Sequence, residues 1–144
     1  TQLMADDSIT RSRVAHRAGY CCEYCQLPEQ FTQLPFQLDH VIAAKHEGPT
    51  VAENLAYACV HFNSYKGPNL AGRDSDRNQT VRLYDPRRDR WDDHFQWEGP
   101  VLKPRTSIGK VTIAVLRMNL PKRVALRAAL IDVGVFPPDM SGAG

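Results

Sequence analysis

The chain has 144 residues, 42% of them hydrophobic and 24% charged, with a net charge of +2 at neutral pH. That length suits one modest core, and that apolar fraction excludes a disordered chain. No apolar run approaches the ~20 residues that span a bilayer and no signal peptide is legible, so a cytoplasmic protein without a membrane partner is expected.

Ser8 is placed to cap a helix through Ile9, Val14 and Ala18 that Gly19 closes, with Arg11, Arg13 and Arg17 on its surface. Cys22-x-x-Cys25 then makes a turn, and Pro28 and Pro35 bracket an extended segment. Phe36-Gln37-Leu38 alternates apolar and polar residues, which predicts a strand delivering Asp39-His40 at its end. Gly48-Pro49 marks a loop over 44–53, and Thr50 with Glu53 has the spacing of a capping box, which predicts a single helical turn. Asn54 to Cys59 predicts a second strand, and His61 to Lys66 a short helix stopped by Gly67-Pro68. Asn69 to Asn78 reads as polar loop and Thr80 to Tyr84 as a strand, with Trp91, Phe95 and Trp97 as core packing. Ile108 to Met118 predicts a helix, and Pro121 opens another through Ile131. On that last helix Val124, Ala128 and Ile131 share one face, and Arg123 and Arg127 another. The fold class is α+β. The expected organisation is a core with its N-terminal helix over 1–99, a basic helical extension packed on it over 100–135, and a flexible tail over 136–144.

Charge is uneven along the chain. Residues 1–98 hold 11 basic and 14 acidic side chains, whereas 99–131 hold 7 basic ones and no acid. The basic stretch is either a solvated helix face or a phosphate-binding surface, in which Arg117, Lys122, Arg123 and Arg127 would grip nucleic acid.

Four residues between the predicted strands and helix carry the chemistry: Asp39, His40, Asn54 and Asn63. An imidazole titrates near neutrality, so His40 suits a general base acting on water. Asp39 suits a hard divalent ion, and Asn63 can offer its amide oxygen to the same ion. Neighbours in a strand point to opposite faces, so Asp39 can hold the metal while His40 faces the water. Asn54 can hydrogen-bond the backbone near His40 and fix its ring. Lys66 shares a helix face with Asn63 and could reach a substrate phosphate, as could His46 from the loop. His16 and His94 read as surface or packing residues.

The ordered run Cys22-x-x-Cys25, Leu38-Asp39-His40-Val41-Ile42, Gly48-Pro49-Thr50, Glu53-Asn54-Leu55, Ala58-Cys59 and Asn63-Ser64-Tyr65-Lys66-Gly67 closely resembles the HNH endonuclease family. It looks like the branch of small stand-alone bacterial members. The resemblance implies a ββα-metal core, a two-stranded hairpin plus a short helix, between an N-terminal helix and a C-terminal helical extension. It also implies DNA as the partner, His40 as general base, Asn54 as the middle asparagine of the signature, and Asp39 and Asn63 as ligands of one divalent cation. An asparagine at the third signature position favours Mg²⁺ or Mn²⁺. The sequence departs from the family in its cysteine knuckle. Phe62 stands where the fourth cysteine of a structural zinc site belongs, leaving Cys22, Cys25 and Cys59 with His61 one residue out of place. Either His61 completes the site or the three cysteines are buried without metal, and the balance leans against zinc. Besides the endonuclease, two further functions stay open. One is a nucleic-acid-binding module that has lost catalysis. The other is a toxin or defence effector using the same site, with an immunity or mobile-element partner. A homodimer is compatible with each.

Overall fold

The computed structural model describes residues 7–140. Helix α1 spans Asp7–Arg17 and buries Val14, Ala15 and the following Ala18. Ser8 lies inside this helix and not ahead of it as a cap. Two of its arginines turn inward, against expectation. Arg11 donates to Phe36 O at 2.8 Å, and Arg17 donates to Ala52 O at 2.8 Å. A guanidinium supplies several donors on a long apolar stem, so it can pin a helix to loop carbonyls while its stem stays packed.

The chain then turns through the cysteines, where Cys22 N–H donates to Leu27 O and Glu23 N–H to Tyr57 O. Strand β1, Gln37–His40, pairs antiparallel with β2, Leu55–Ala58, in a register that sets Asp39 opposite Ala56 and His40 opposite Leu55. All four residues of β2 are buried, because α1 packs on this strand and the cysteine turn bonds to it. The connecting loop holds two 3-10 turns, Ala44–His46 and Ala52–Asn54. Val51 caps the second turn without a side-chain bond, so the Thr50–Glu53 capping box does not form. Helix α2, Val60–Lys66, packs on β1 and ends at Gly67, whose φ of 50° carries the chain out of the helix.

Beyond Gly67 the structure is richer in strands than the sequence suggests. Strand β3, Ala71–Asp74, lies within the expected polar loop and pairs with β4, Gln79–Arg82. Helix α3, Trp91–His94, leads into β5, Phe95–Glu98, which pairs with β6, Val101–Pro104. The extension expected to be helical thus opens with a strand. Helix α4, Ser107–Leu116, packs on β3, β4, β6 and α2, and Thr106 caps it by accepting from Gly109 N–H at 3.1 Å. Helix α5, Pro121–Asp132, starts with its proline at the first turn. Its buried residues are Arg127 and Leu130, and of the predicted face Ile131 packs against the core beside them.

Trp91 packs against both Phe95 and Trp97, with ring centroids 5.2 and 5.8 Å away. Their indole N–H groups donate to Tyr24 O at 2.8 Å and Gln26 Oε1 at 2.9 Å, tying this region to the cysteine turn. Phe136, at the head of the segment expected to be loose, is buried against Trp97; residues 141–144 lie outside the described residues. No helix among the described residues is long and apolar enough to cross a membrane.

Candidate active site

The hairpin places Asp39 and His40 on opposite faces, as strand geometry requires. On the inner face Asp39 is 4% exposed and accepts from Tyr24 Oη at 2.7 Å and from Lys66 Nζ at 3.3 Å, one donor on each carboxylate oxygen. Burial pushes the Asp39 carboxyl above its ordinary range, and the nearby Lys66 charge and the Tyr24 hydrogen bond oppose that shift. Asp39 is therefore an enclosed carboxylate with one hydrogen-bond donor on each oxygen.

Lys66 is 2% exposed, and its ammonium also faces His40 O at 3.2 Å and Val41 O at 3.4 Å. Three oxygens occupy its three donors. The expected role of Lys66 as a phosphate contact is therefore corrected: as the last residue of α2 it points into the hairpin, where it fastens the end of β1.

On the outer face His40 Nε2 lies 2.9 Å from Thr50 Oγ1. Burial holds the His40 pKa below its usual 6.5, and the Lys66 charge adds to that, against the pull of Asp39. Burial therefore favours the uncharged imidazole. Thr50 was legible only as a helix cap; its partnership with His40 depends on the loop path, which local spacing does not encode.

Asn54 sets that path. It is 6% exposed and bonds Ile42 from both sides, accepting from Ile42 N–H at 3.0 Å and donating to Ile42 O at 3.0 Å, and it donates to Pro49 O at 2.9 Å. Val41 N–H donates to Asn54 O at 2.9 Å, extending the ladder one step past His40. Gly48 sits so close that a Cβ there would fall 1.7 Å from Ile42 O. A buried amide with three bonds and a glycine without room for a side chain hold the loop against β1.

Asn63 is half-buried, and its Nδ2 donates to Gln37 Oε1, leaving Oδ1 as its unengaged acceptor. Gln37 and Asp39 share a strand face, so α2 lays Asn63 and Lys66 along the same side of β1. Lys45 and His46 are exposed on the first 3-10 turn. A cavity of about 220 Å³ beside Val41, Ile42 and Lys66 is bordered by Arg82 and Arg88. Arg82 is committed to Asp89, at 2.7 and 2.9 Å, whereas Arg88 is exposed.

The cysteine knuckle is assembled: the sulfurs of Cys22, Cys25 and Cys59 lie within 4.8 Å of one another, all buried. His61 is not among them; its ring stacks on Phe62 and Tyr65, each 5.0 Å away. Burial pushes the thiols of Cys22 and Cys25 up. Cys59 is held down, first by hydrogen bonds from those two thiols.

Two of the four residues of the expected nucleic-acid grip, Arg123 and Arg127, point inward. Arg127 is 2% exposed, donates to Pro100 O at 2.8 Å and to Met118 O and Asn119 Oδ1 at 3.0 Å, and lies over the Trp97 ring. Arg123 packs on Phe62 beside Cys59. Arg117 is exposed over the Tyr65 ring, and Lys122 is exposed.

An antiparallel hairpin with its loop locked by an asparagine, followed by a short helix across the first strand, defines a ββα module of the α+β class. Residues 22–68 match the family model described as HNH endonuclease, which spans the knuckle, the hairpin and α2. Over these residues the chain is similar to the HNH endonuclease family, a family of nucleases. No curated protein and no solved structure matched the chain.

Proposed function

We propose that this protein is a metal-dependent endonuclease that hydrolyses DNA phosphodiester bonds, with His40 as general base. The observation that carries this reading is the position of the His40 ring: half-buried at the end of β1 and held by Thr50 inside the hairpin that matches the HNH endonuclease family model. Such a ring can take the proton of an attacking water. A proton on Nε2, donated to Thr50, would leave Nδ1 as the basic atom. Asn54 serves as a positioning residue through the backbone that follows His40.

Asp39 and Asn63 fit a hard divalent ion by their chemistry. Each carboxylate oxygen of Asp39 accepts one hydrogen bond and retains a lone pair, and Asn63 Oδ1 is unengaged. A Mg²⁺ or Mn²⁺ ion held by this pair would polarise the phosphate and neutralise the leaving oxygen. Lys45, His46 and Arg88 are the exposed groups near the hairpin suited to flanking phosphates, in place of Lys66.

The test is cleavage of supercoiled plasmid with Mg²⁺ or Mn²⁺, against a chelated control. Nicking that the chelator stops is expected. Binding of DNA without cutting under any divalent ion would overturn the proposal in favour of a non-catalytic binding module. The Asp39–Lys66 ion pair is the observation that favours that second reading, since it already supplies the carboxylate with a cation.

A further inference from the structure

The three knuckle thiols are the only clustered metal-type side chains found among the described residues, and the proposed reaction does not use them. A structural zinc needs four donors in a tetrahedron. Here three sulfurs converge, and the position expected to give the fourth holds Phe62, which is fully buried. Arg123 of α5 completes the arrangement. Its guanidinium lies 5.4 Å from the centre of the Phe62 ring, and its Nη2 is 3.9 Å from Cys59 Sγ. The Arg123 Nε is buried without a hydrogen-bond partner, so its polar contact in this corner is with sulfur. The Cys22 and Cys25 sulfurs also lie within 4.8 Å of Cys59 Sγ.

We propose that this knuckle is a metal-free joint. Phe62 fills the fourth corner, and the Arg123 guanidinium supplies to Cys59 the positive charge that a structural zinc would bring. The donor set does not fit zinc: the fourth corner holds an aromatic ring and a cation, which repels a divalent ion, and His61, whose Nε2 is buried without a partner, lies outside the group of three sulfurs. The joint differs from a zinc site in one consequence. Zinc would tie the cysteine turn to the start of α2 alone, whereas Arg123 ties both to α5.

Metal content of the purified full chain by mass spectrometry, thermal melting with and without chelator, and Co²⁺ titration of the thiolate-to-metal absorption band test this. The wild type is expected to carry no stoichiometric zinc, to melt at the same temperature with chelator, and to give no thiolate–cobalt band. Phe62→Cys is expected to take up one zinc per chain and to become chelator-sensitive. Arg123→Met is expected to lower the melting midpoint by several degrees without changing metal content. A wild type isolated with one zinc per chain, whose midpoint falls when chelated, overturns the proposal. So does a folded Phe62→Cys that takes up no zinc, or an Arg123→Met that melts like the wild type. Should Phe62→Cys fail to fold, the metal content and chelator response of the wild type decide the matter alone.

Discussion

The hairpin module between Gln37 and Gly67 and the basic stretch between Gly99 and Ile131 both concentrate polar side chains, yet they dispose of them differently. In the hairpin, Asp39, His40, Asn54 and Lys66 gather around the end of one strand, bonding to each other and to the backbone of Val41 and Ile42. In the basic stretch the cations scatter: Arg105 to Phe95 O, Lys110 to Asp74, Arg123 to Cys59, and Arg127 to Pro100, Met118 and Asn119. The difference teaches that a run of like charge is not a surface. Arg105 and Arg127 turn to carbonyls, Lys110 to a carboxylate and Arg123 to a sulfur, whereas Arg117 and Lys122 stay exposed. A guanidinium can be wholly buried when its fork meets oxygens and its flat face meets an indole, as Arg127 does.

Removing Lys66 should have the largest effect on stability. Lys66→Met leaves the buried Asp39 carboxylate with Tyr24 alone and frees two backbone carbonyls, which should cost about 3–5 kcal/mol in urea unfolding. A loss under about 1 kcal/mol would mean the ion pair does not organise the hairpin. In the basic stretch, Arg127→Ala should cost about 2–3 kcal/mol through lost charged hydrogen bonds. It should leave the salt dependence of DNA binding unchanged, because an enclosed cation displaces no counterion. The exposed Lys122, changed to Ala, should instead barely alter stability and flatten that slope by about one unit if this face meets DNA. The reverse pattern would restore the basic stretch as a uniform grip.

A smaller effect is expected at Thr50. Thr50→Val should lower turnover roughly 10- to 100-fold while Thr50→Ser recovers most of it, with melting unchanged. Equal loss in both variants would show that the hydroxyl does not position His40. The smallest effect is at Asp89, whose carboxyl is held below its ordinary range first by hydrogen bonds from Arg82. That contribution is present above the ordinary carboxylate range and disappears as the pH falls through the lowered native value. Asp89→Asn should therefore be less stable than the wild type at neutral pH, by under about 1 kcal/mol, and equal to it in strong acid. A gap that persists in acid would assign the loss to packing.

The hairpin and α2 were legible to within a residue or two, because alternation, Gly48-Pro49 and Gly67-Pro68 all mark the same boundaries. Strand β3 was not, since Ala71-Gly72-Arg73-Asp74 has no apolar alternation. Its fit is tertiary: a Cβ on Gly72 would come 2.5 Å from Val111 Cγ1 of α4, so the strand is defined by close approach and not by propensity. The same holds at the site. Sequence order pointed to His40 and Asn54, but it could not show that Lys66 faces inward or that Thr50 meets the imidazole. Those contacts depend on where α2 lies across β1 and on how the loop returns from Gly48.

The central claim is that His40 is the base of a phosphodiester hydrolase. It is tested most directly by cleavage of a labelled DNA duplex with Mg²⁺ or Mn²⁺, comparing wild type with His40→Ala at matched melting temperature and matched DNA affinity. The account predicts cleavage by the wild type and a loss of at least about 100-fold in His40→Ala, with binding intact. Cleavage by His40→Ala at the wild-type rate would contradict it.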